Sequence, residues 1–486
     1  MPSKTMSVPD ASSKRARGAS KGRHVVAMRR ARSSPIQRKL YKTTDHSVGV
    51  ALHPADFAPP QRGGGWGPFG EAFVRMNERA LAALDTYPEL SARDDGLALR
   101  LVPGGRAGAV PLRAAHTGQI AGGLLVEPRF GWSGVGRVLS EVGWNTALEF
   151  LDYPLVPGSG REVPPWLIAG PVLARLEELL HSLRPGYRMA EETLLKPRGH
   201  IRWNAYVAES LVRGRWSSVP CRFPELTKDP RIKSMIRWTL ERLCSTLIGV
   251  ATSDPFAQRL TLAAKQLLDL VADVAPRMPV RDDMSVLLGS AGLYGHAMLR
   301  GLEAIGWIAD ERGLGGGREL DGLAWQLPLE NLWEAYVESV YRTEARSTGA
   351  DVRVGRLGQT VFPLHWTDST HRSLGHLIPD IVVRRGDVIK IVDAKYKAHL
   401  AELDEHAWER FTDTTRESHR ADLHQVLAYA ALYDAREVTA VLVYPLRRGT
   451  FEALASRGRD RSNADLLHGG RLLRIELRGL PFGGVR

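Results

Sequence analysis

The chain has 486 residues, a formal net charge of +12 and 43% hydrophobic residues, enough for about three domains at ~150 residues each. No apolar run approaches the ~20 residues of a membrane span, and no apolar segment follows the basic N-terminal residues as it would in a secretory signal. The only cysteines, Cys221 and Cys244, exclude a disulfide framework and a CxxC zinc site, so the chain reads as cytoplasmic, without a membrane.

The charge is unevenly placed. Twelve Lys or Arg residues and one acid, Asp10, fall within residues 1–42, so that stretch carries +11 of the +12 and the remainder is almost neutral. Its Ser, Pro, Gly and scattered basic residues give residues 1–45 the composition of a disordered basic tail. Such a tail is either a nonspecific phosphate-binding arm, with affinity falling as roughly the −0.9Z power of salt, or an extension ahead of a true start at Met28 or later.

Residues 46–165 are rich in Gly and Pro and carry short alternating apolar runs. Residues 97–102 and 120–126 read as strands, with Pro103-Gly104-Gly105 as a turn. We expect a β-rich N-terminal domain suited to protein contact. Trp66, Trp132 and Trp144 are expected in its core, the alternative being a pocket for a flipped base. From 166 to 320 the period becomes helical. Leu173, Leu176, Leu179 and Leu180 form one stripe after Pro164-Pro165; Ile232, Met235, Ile236 and Leu240 form a second, and residues 260–274 a third helix.

The first half of this middle region is basic: Lys196, Arg198, Arg202, Arg213, Arg215, Arg222, Lys228, Arg231, Lys233 and Arg237, interleaved with Trp203, Trp216 and Trp238. Such a run either tracks a nucleic-acid backbone, meets an acidic partner, or is a solvated face over a core pinned by tryptophan. The glycine run Gly313-Leu314-Gly315-Gly316-Gly317 lacks a P-loop lysine, and no Gly-Lys-Ser or Gly-Lys-Thr occurs anywhere. It reads as a connector, and the chain is expected to bind no nucleotide itself.

Residues 321–486 carry the chemistry. Two β-rich runs, 381–383 and 388–392, flank Arg384-Arg385-Gly386-Asp387, which has the turn chemistry of a hairpin. Asp393 and Lys395 then project from one strand face, ~6.8 Å apart, and Asp380 on the neighbouring arm, about 4.8 Å away, is placed to share a divalent cation with Asp393. Paired carboxylates beside a lysine suit metal-assisted phosphodiester hydrolysis. Upstream, residues 329–337 read as a helix start in which Glu334 lies off the apolar stripe of 332, 333, 336, 337 and 340. Downstream, residues 422–429 form an amphipathic helix with Gln425 and Tyr429 at i,i+4 on one face. Each feature alone is common on surfaces; the ordered set is not.

At these residues the chain resembles the PD-(D/E)xK nuclease superfamily in the variety that carries a RecB-like Gln-x-x-x-Tyr motif. More narrowly it resembles the McrC family, nuclease subunits of McrBC-type restriction systems that cut 5-methylcytosine-modified DNA. The matching pieces are Asn331-Leu332-Trp333-Glu334, Pro379-Asp380-Ile381-Val382, Asp393-Ala394-Lys395-Tyr396-Lys397, residues 422–429 and the closing strand 440–445. Looser likeness covers Lys196-Pro197-Arg198-Gly199-His200-Ile201, Val219-Pro220-Cys221-Arg222 and residues 118–129.

The resemblance implies a mixed α/β multidomain chain: a PD-(D/E)xK restriction-endonuclease-like domain at 321–486, behind a helical middle region and the β-rich domain. It implies a subunit that works on DNA with an McrB-like hexameric AAA+ GTPase, stimulates it and makes the cut. Glu334, Asp380 and Asp393, with the Ala394 carbonyl, would hold one or two Mg²⁺ (or Mn²⁺) ions. Lys395 would orient the attacking water, and Gln425 and Tyr429 would brace the site. A near-neutral body suits delivery to DNA by such a partner. The rivals are a solitary RecB-like repair nuclease and a non-catalytic motor adaptor. The histidines at 365, 371, 376, 399, 406, 419 and 424 show no metal-ligand spacing and are expected in loops and on the surface.

Overall fold

The computed structural model describes residues 38–486 apart from 58–65, 67–68, 94–95, 144–147, 184–185, 228, 252–253, 292–294, 311–320, 368–373, 398–399, 401–411, 469–470 and 484–486. The basic stretch through residue 37, the 313–317 glycine run, Trp144, Lys228, His371, His399 and His406 lie outside the described residues. Alternating side chains along short runs give strands here, as the sequence requires. The Gly96–Pro103 strand pairs antiparallel with both Val50–Leu52 and Thr86–Arg93. It packs Leu99 and Leu101 against Phe73 and Leu81 of the Gly70–Ala83 helix. Trp66 is buried in this core with its indole N–H on the Leu52 carbonyl. Trp132 is partly buried against the main core, 5.9 Å from the Trp325 ring.

A second, five-stranded sheet runs in the order Lys39–Thr44, Ile120–Glu127, Arg106–Arg113, Trp325–Pro328, Glu149–Phe150. The first pair is parallel and the others are antiparallel. Here the structure departs from the expected boundaries twice. Residues 39–44, counted with the tail, form an edge strand whose Tyr41 is buried while Lys39 and Lys42 face solvent, as edge strands commonly do. The strand at 325–328, counted with the C-terminal domain, is an interior strand of this sheet.

The middle region has the helices Pro165–Ser182 and Pro230–Ala251 on the expected stripes, and a third at Pro255–Asp269 that starts and ends five residues earlier than the expected 260–274. It also holds an antiparallel sheet of Gly186–Leu194, Val219–Thr227 and His200–Ile201, so it is not purely helical. Its helices share one continuous core with the C-terminal region, running from Leu176 and Ile236 through Trp325 and Trp333 to Val392, Val443 and Phe482.

The C-terminal sheet has six strands in the order Asp351–Val354, Ile381–Arg385, Val388–Ala394, Glu437–Leu446, Arg471–Pro481, Arg461–His468. The expected hairpin is present and antiparallel; the two central pairings that follow are parallel. Period-two alternation splits the strands between two cores. Ile381, Val392, Val441 and Val443 face the Leu329–Thr348 helix, and Val382, Ile391, Leu442 and Tyr444 face the Asp413–Ala430 helix. Burial on both faces is why these strands read as nearly unbroken apolar runs. Among the described residues no helix is long and apolar enough to cross a membrane.

Candidate active site

Hairpin register places the two key acids. Ile381 pairs with Val392, so Asp380 and Asp393 come next on facing arms at the open end of the ladder. The Asp380 carboxylate accepts the Ala394 N–H at 2.8 Å. Its backbone is clamped by a neighbouring turn: Gly355 N–H donates to the Asp380 carbonyl at 2.8 Å, and the Thr360 hydroxyl to the Pro379 carbonyl at 2.6 Å. A Cβ on Gly355 would stand 2.6 Å from the Pro379 carbonyl oxygen, so the approach admits only glycine.

Asp393 is buried, and the Lys395 ammonium lies 2.8 Å from its Oδ2. Lys395 also donates to Gln425 Oε1 at 2.8 Å, and Gln425 Nε2 donates to the Tyr429 hydroxyl at 2.9 Å. The expected i,i+4 pair therefore acts as one unit on the lysine. The helix is tied down next to it by Lys397, which donates to both Asp422 oxygens at 2.8 and 3.0 Å and to Ser418 at 3.0 Å.

Crowded charge and burial shift the site's acids. Burial, then Asp393 and Glu334, raise the Asp380 pKa from its ordinary 3.8 to about 8. Burial works against the Lys395 ammonium, but the charge and hydrogen bond of Asp393, together with the charges of Asp422 and Asp380, hold the lysine above its ordinary value. Burial also raises Glu334, with Arg356 opposing.

The structure brings Asp380, Asp393, Lys395, Gln425 and Tyr429 together, but does not assemble the expected three-carboxylate set. Among the described residues no three His, Cys, Asp or Glu side chains stand close enough to hold one metal ion. Glu334 lies on the opposite helix, where it feels the charges of Arg356, Glu338 and Asp393; the Arg356 guanidinium pairs with buried Glu338. The two-acid set still suits a hard cation. Mg²⁺ is commonly held by one or two carboxylates plus waters, and Asp380 and the buried Asp393 stand on facing arms at one end of the hairpin.

Sequence reading missed Gly355, Thr360, Glu338 and Arg356. Thr360 and Gly355 had a faint signal, a small residue beside a turn, but no periodicity pointed to Pro379. His419 corrects the surface expectation: it is buried, its Nδ1 3.2 Å from the Tyr444 hydroxyl.

The basic run of the middle region divides. Arg202 and Arg222 pair with Glu191, Arg198 lies over the Phe223 ring, Lys233 pairs with Asp273, and Trp238 packs on the core. Those side chains serve the fold. Trp203 and Trp216, by contrast, are 61% and 71% exposed, and Leu195 and Val212 are exposed as well.

Two solved structures are similar at low identity. A refined half-complex from a tetradecameric assembly of Thermococcus gammatolerans McrB AAA+ hexamers with bound McrC is 13% identical, covering 92% of this chain and 96% of that one, with a TM-score of 0.38. A cryo-EM structure of the Thermococcus gammatolerans McrBC complex is 10% identical, covering 62% and 87%, with a TM-score of 0.26. No curated protein matches the chain. The family model described as McrBC 5-methylcytosine restriction system component matches residues 166–445, more than half of the sequence. The chain therefore belongs to the McrBC 5-methylcytosine restriction system component family.

Proposed function

We propose that this chain is the McrC-like nuclease subunit of its system, a Mg²⁺-dependent DNA endonuclease with a PD-(D/E)xK site that cuts modified DNA alongside a hexameric AAA+ GTPase. The observation that carries this reading is the Asp380–Asp393 pair set against the Lys395–Gln425–Tyr429 chain of contacts. Asp380 and Asp393, with the Ala394 carbonyl, hold the cation, and Glu334 adds negative field at its edge. The cation would supply Lewis acidity and lower the pKa of a bound water. Lys395, kept protonated by Asp393, orients the nucleophile and balances the charge that grows on the phosphate. Gln425 restrains the lysine, and Tyr429 restrains the Gln425 amide. The exposed Trp203 and Trp216 are the contact we assign to the partner.

Asp393→Ala and Lys395→Ala should each lower single-turnover cleavage of methylated duplex DNA by about 10²-fold or more, with Mg²⁺, GTP and the partner present. Both variants should still co-elute with the partner. Wild-type cutting by either variant would refute the assignment. Cutting by the lone wild-type chain in Mn²⁺ without nucleotide would instead favour a solitary nuclease.

A further inference from the structure

Resting on that nuclease reading, we infer that Arg129, held by buried Asp45, is a positioning residue that fixes the catalytic lysine from the N-terminal sheet. The Lys39–Thr44 and Ile120–Glu127 strands run parallel with Thr44 opposite Glu127, so both deliver their next residues to one edge. Asp45 N–H caps that edge on the Glu127 carbonyl at 3.0 Å. Its carboxylate takes the Arg129 backbone N–H at 2.5 Å and stands 3.4 Å from Arg129 Nε. The guanidinium then reaches across to the C-terminal region. Its Nη2 donates to the Tyr396 carbonyl at 3.1 Å, and its centre lies 4.6 Å from the Tyr396 ring centroid.

Tyr396 is the residue between the two working lysines. The Val388–Ala394 strand has ended, and the last ladder-like bond is Lys395 N–H to the Val443 carbonyl at 2.9 Å. Past that point the Arg129 bond restrains the Tyr396–Lys397 peptide, which begins one residue beyond Lys395. The Asp45 side chain is fully buried and that of Arg129 is 17% exposed. A buried ion pair is a poor source of net stability, because desolvation offsets most of its attraction. What this pair does supply is direction, a guanidinium fork aimed at one backbone oxygen.

The test uses the full-length chain with its partner, GTP and Mg²⁺, and compares Arg129→Gln, Arg129→Lys, the double variant Asp45→Asn/Arg129→Gln and the site control Asp393→Ala. Arg129→Gln should slow single-turnover cleavage of methylated DNA about 10²-fold, the scale of an ångström-sized misplacement, with half-saturating DNA changed less than about twofold. Hydrogen exchange should rise across residues 393–397 and stay unchanged in the Glu437–Leu446 strand. Arg129→Lys should recover part of the rate. The double variant removes both buried charges, so it keeps the fold where the single variant loses it, and it should show the same local loss. Exchange that rises evenly over the whole sheet, or Arg129→Gln cutting within about twofold of wild type, would overturn the inference. If wild type cuts no faster than Asp393→Ala, the nuclease reading itself fails; unchanged exchange at 393–397 in both Arg129→Gln variants then also removes the positioning role.

Discussion

Asp380 couples the site to pH. With its pKa raised to about 8, the folded chain holds a proton that the unfolded chain releases near 3.8. Between those values the folded state binds more protons, so the stability this group contributes is full at low pH and falls as pH rises toward about 8. Metal-free wild type should lose melting temperature from pH 5 to pH 8 more steeply than Asp380→Asn. Mg²⁺ should also raise it more at pH 8 than at pH 6, because the cation must displace that proton. Parallel curves for the two proteins would sink this account. The meeting of Asp380, Asp393 and Lys395 was legible because the hairpin pattern sets residues 380 and 393 on facing arms and alternation sets 393 and 395 on one face. Glu334 was legible as an acid off an apolar stripe; the Arg356 charge that acts on it was not, because that arginine comes from a separate turn with no pattern linking the two.

Elements aim these residues. The Leu329–Thr348 and Asp413–Ala430 helices cover opposite faces of one sheet, and apolar spacing revealed both. What holds each in register was hidden in pairs far apart in the chain, such as Lys397 with Asp422. Asp422→Ala leaves the half-buried Lys397 ammonium with only the Ser418 hydroxyl and no counter-charge, and should cost about 1–3 kcal/mol in urea unfolding while loosening Gln425. Gly355→Ala should act through the other arm. A Cβ 2.6 Å from the Pro379 carbonyl must push the Pro379-Asp380 segment away, at about 1–3 kcal/mol, and weaken Mg²⁺ binding measured by calorimetry. Unaltered metal affinity would show that the clamp does not set Asp380.

At the scale of the whole molecule, residues 38–486 form one compact unit. Boundaries drawn from composition cut through it, since a four-residue strand such as Trp325–Pro328 offers too short a run to reveal its partners. A fragment of residues 321–486 would expose Trp325, Trp333 and Val337, now packed in the shared core. It should be insoluble or bind hydrophobic dyes strongly. A soluble, cooperatively folding 321–486 fragment would contradict this.

The same interior strand has a consequence for biosynthesis. Arg106 and Gln326 hydrogen-bond across a separation of 220 residues. At roughly 5–20 residues per second, the ribosome needs about 10–45 s to cover that distance. Throughout that interval the Arg106–Arg113 strand leaves one flank of its backbone without its final neighbour, an aggregation-prone edge on a nascent chain. The Trp325–Pro328 strand, emerging later, completes the sheet beside which Arg129 stands. A truncated translation product would therefore lack both the chemistry and the finished scaffold behind it.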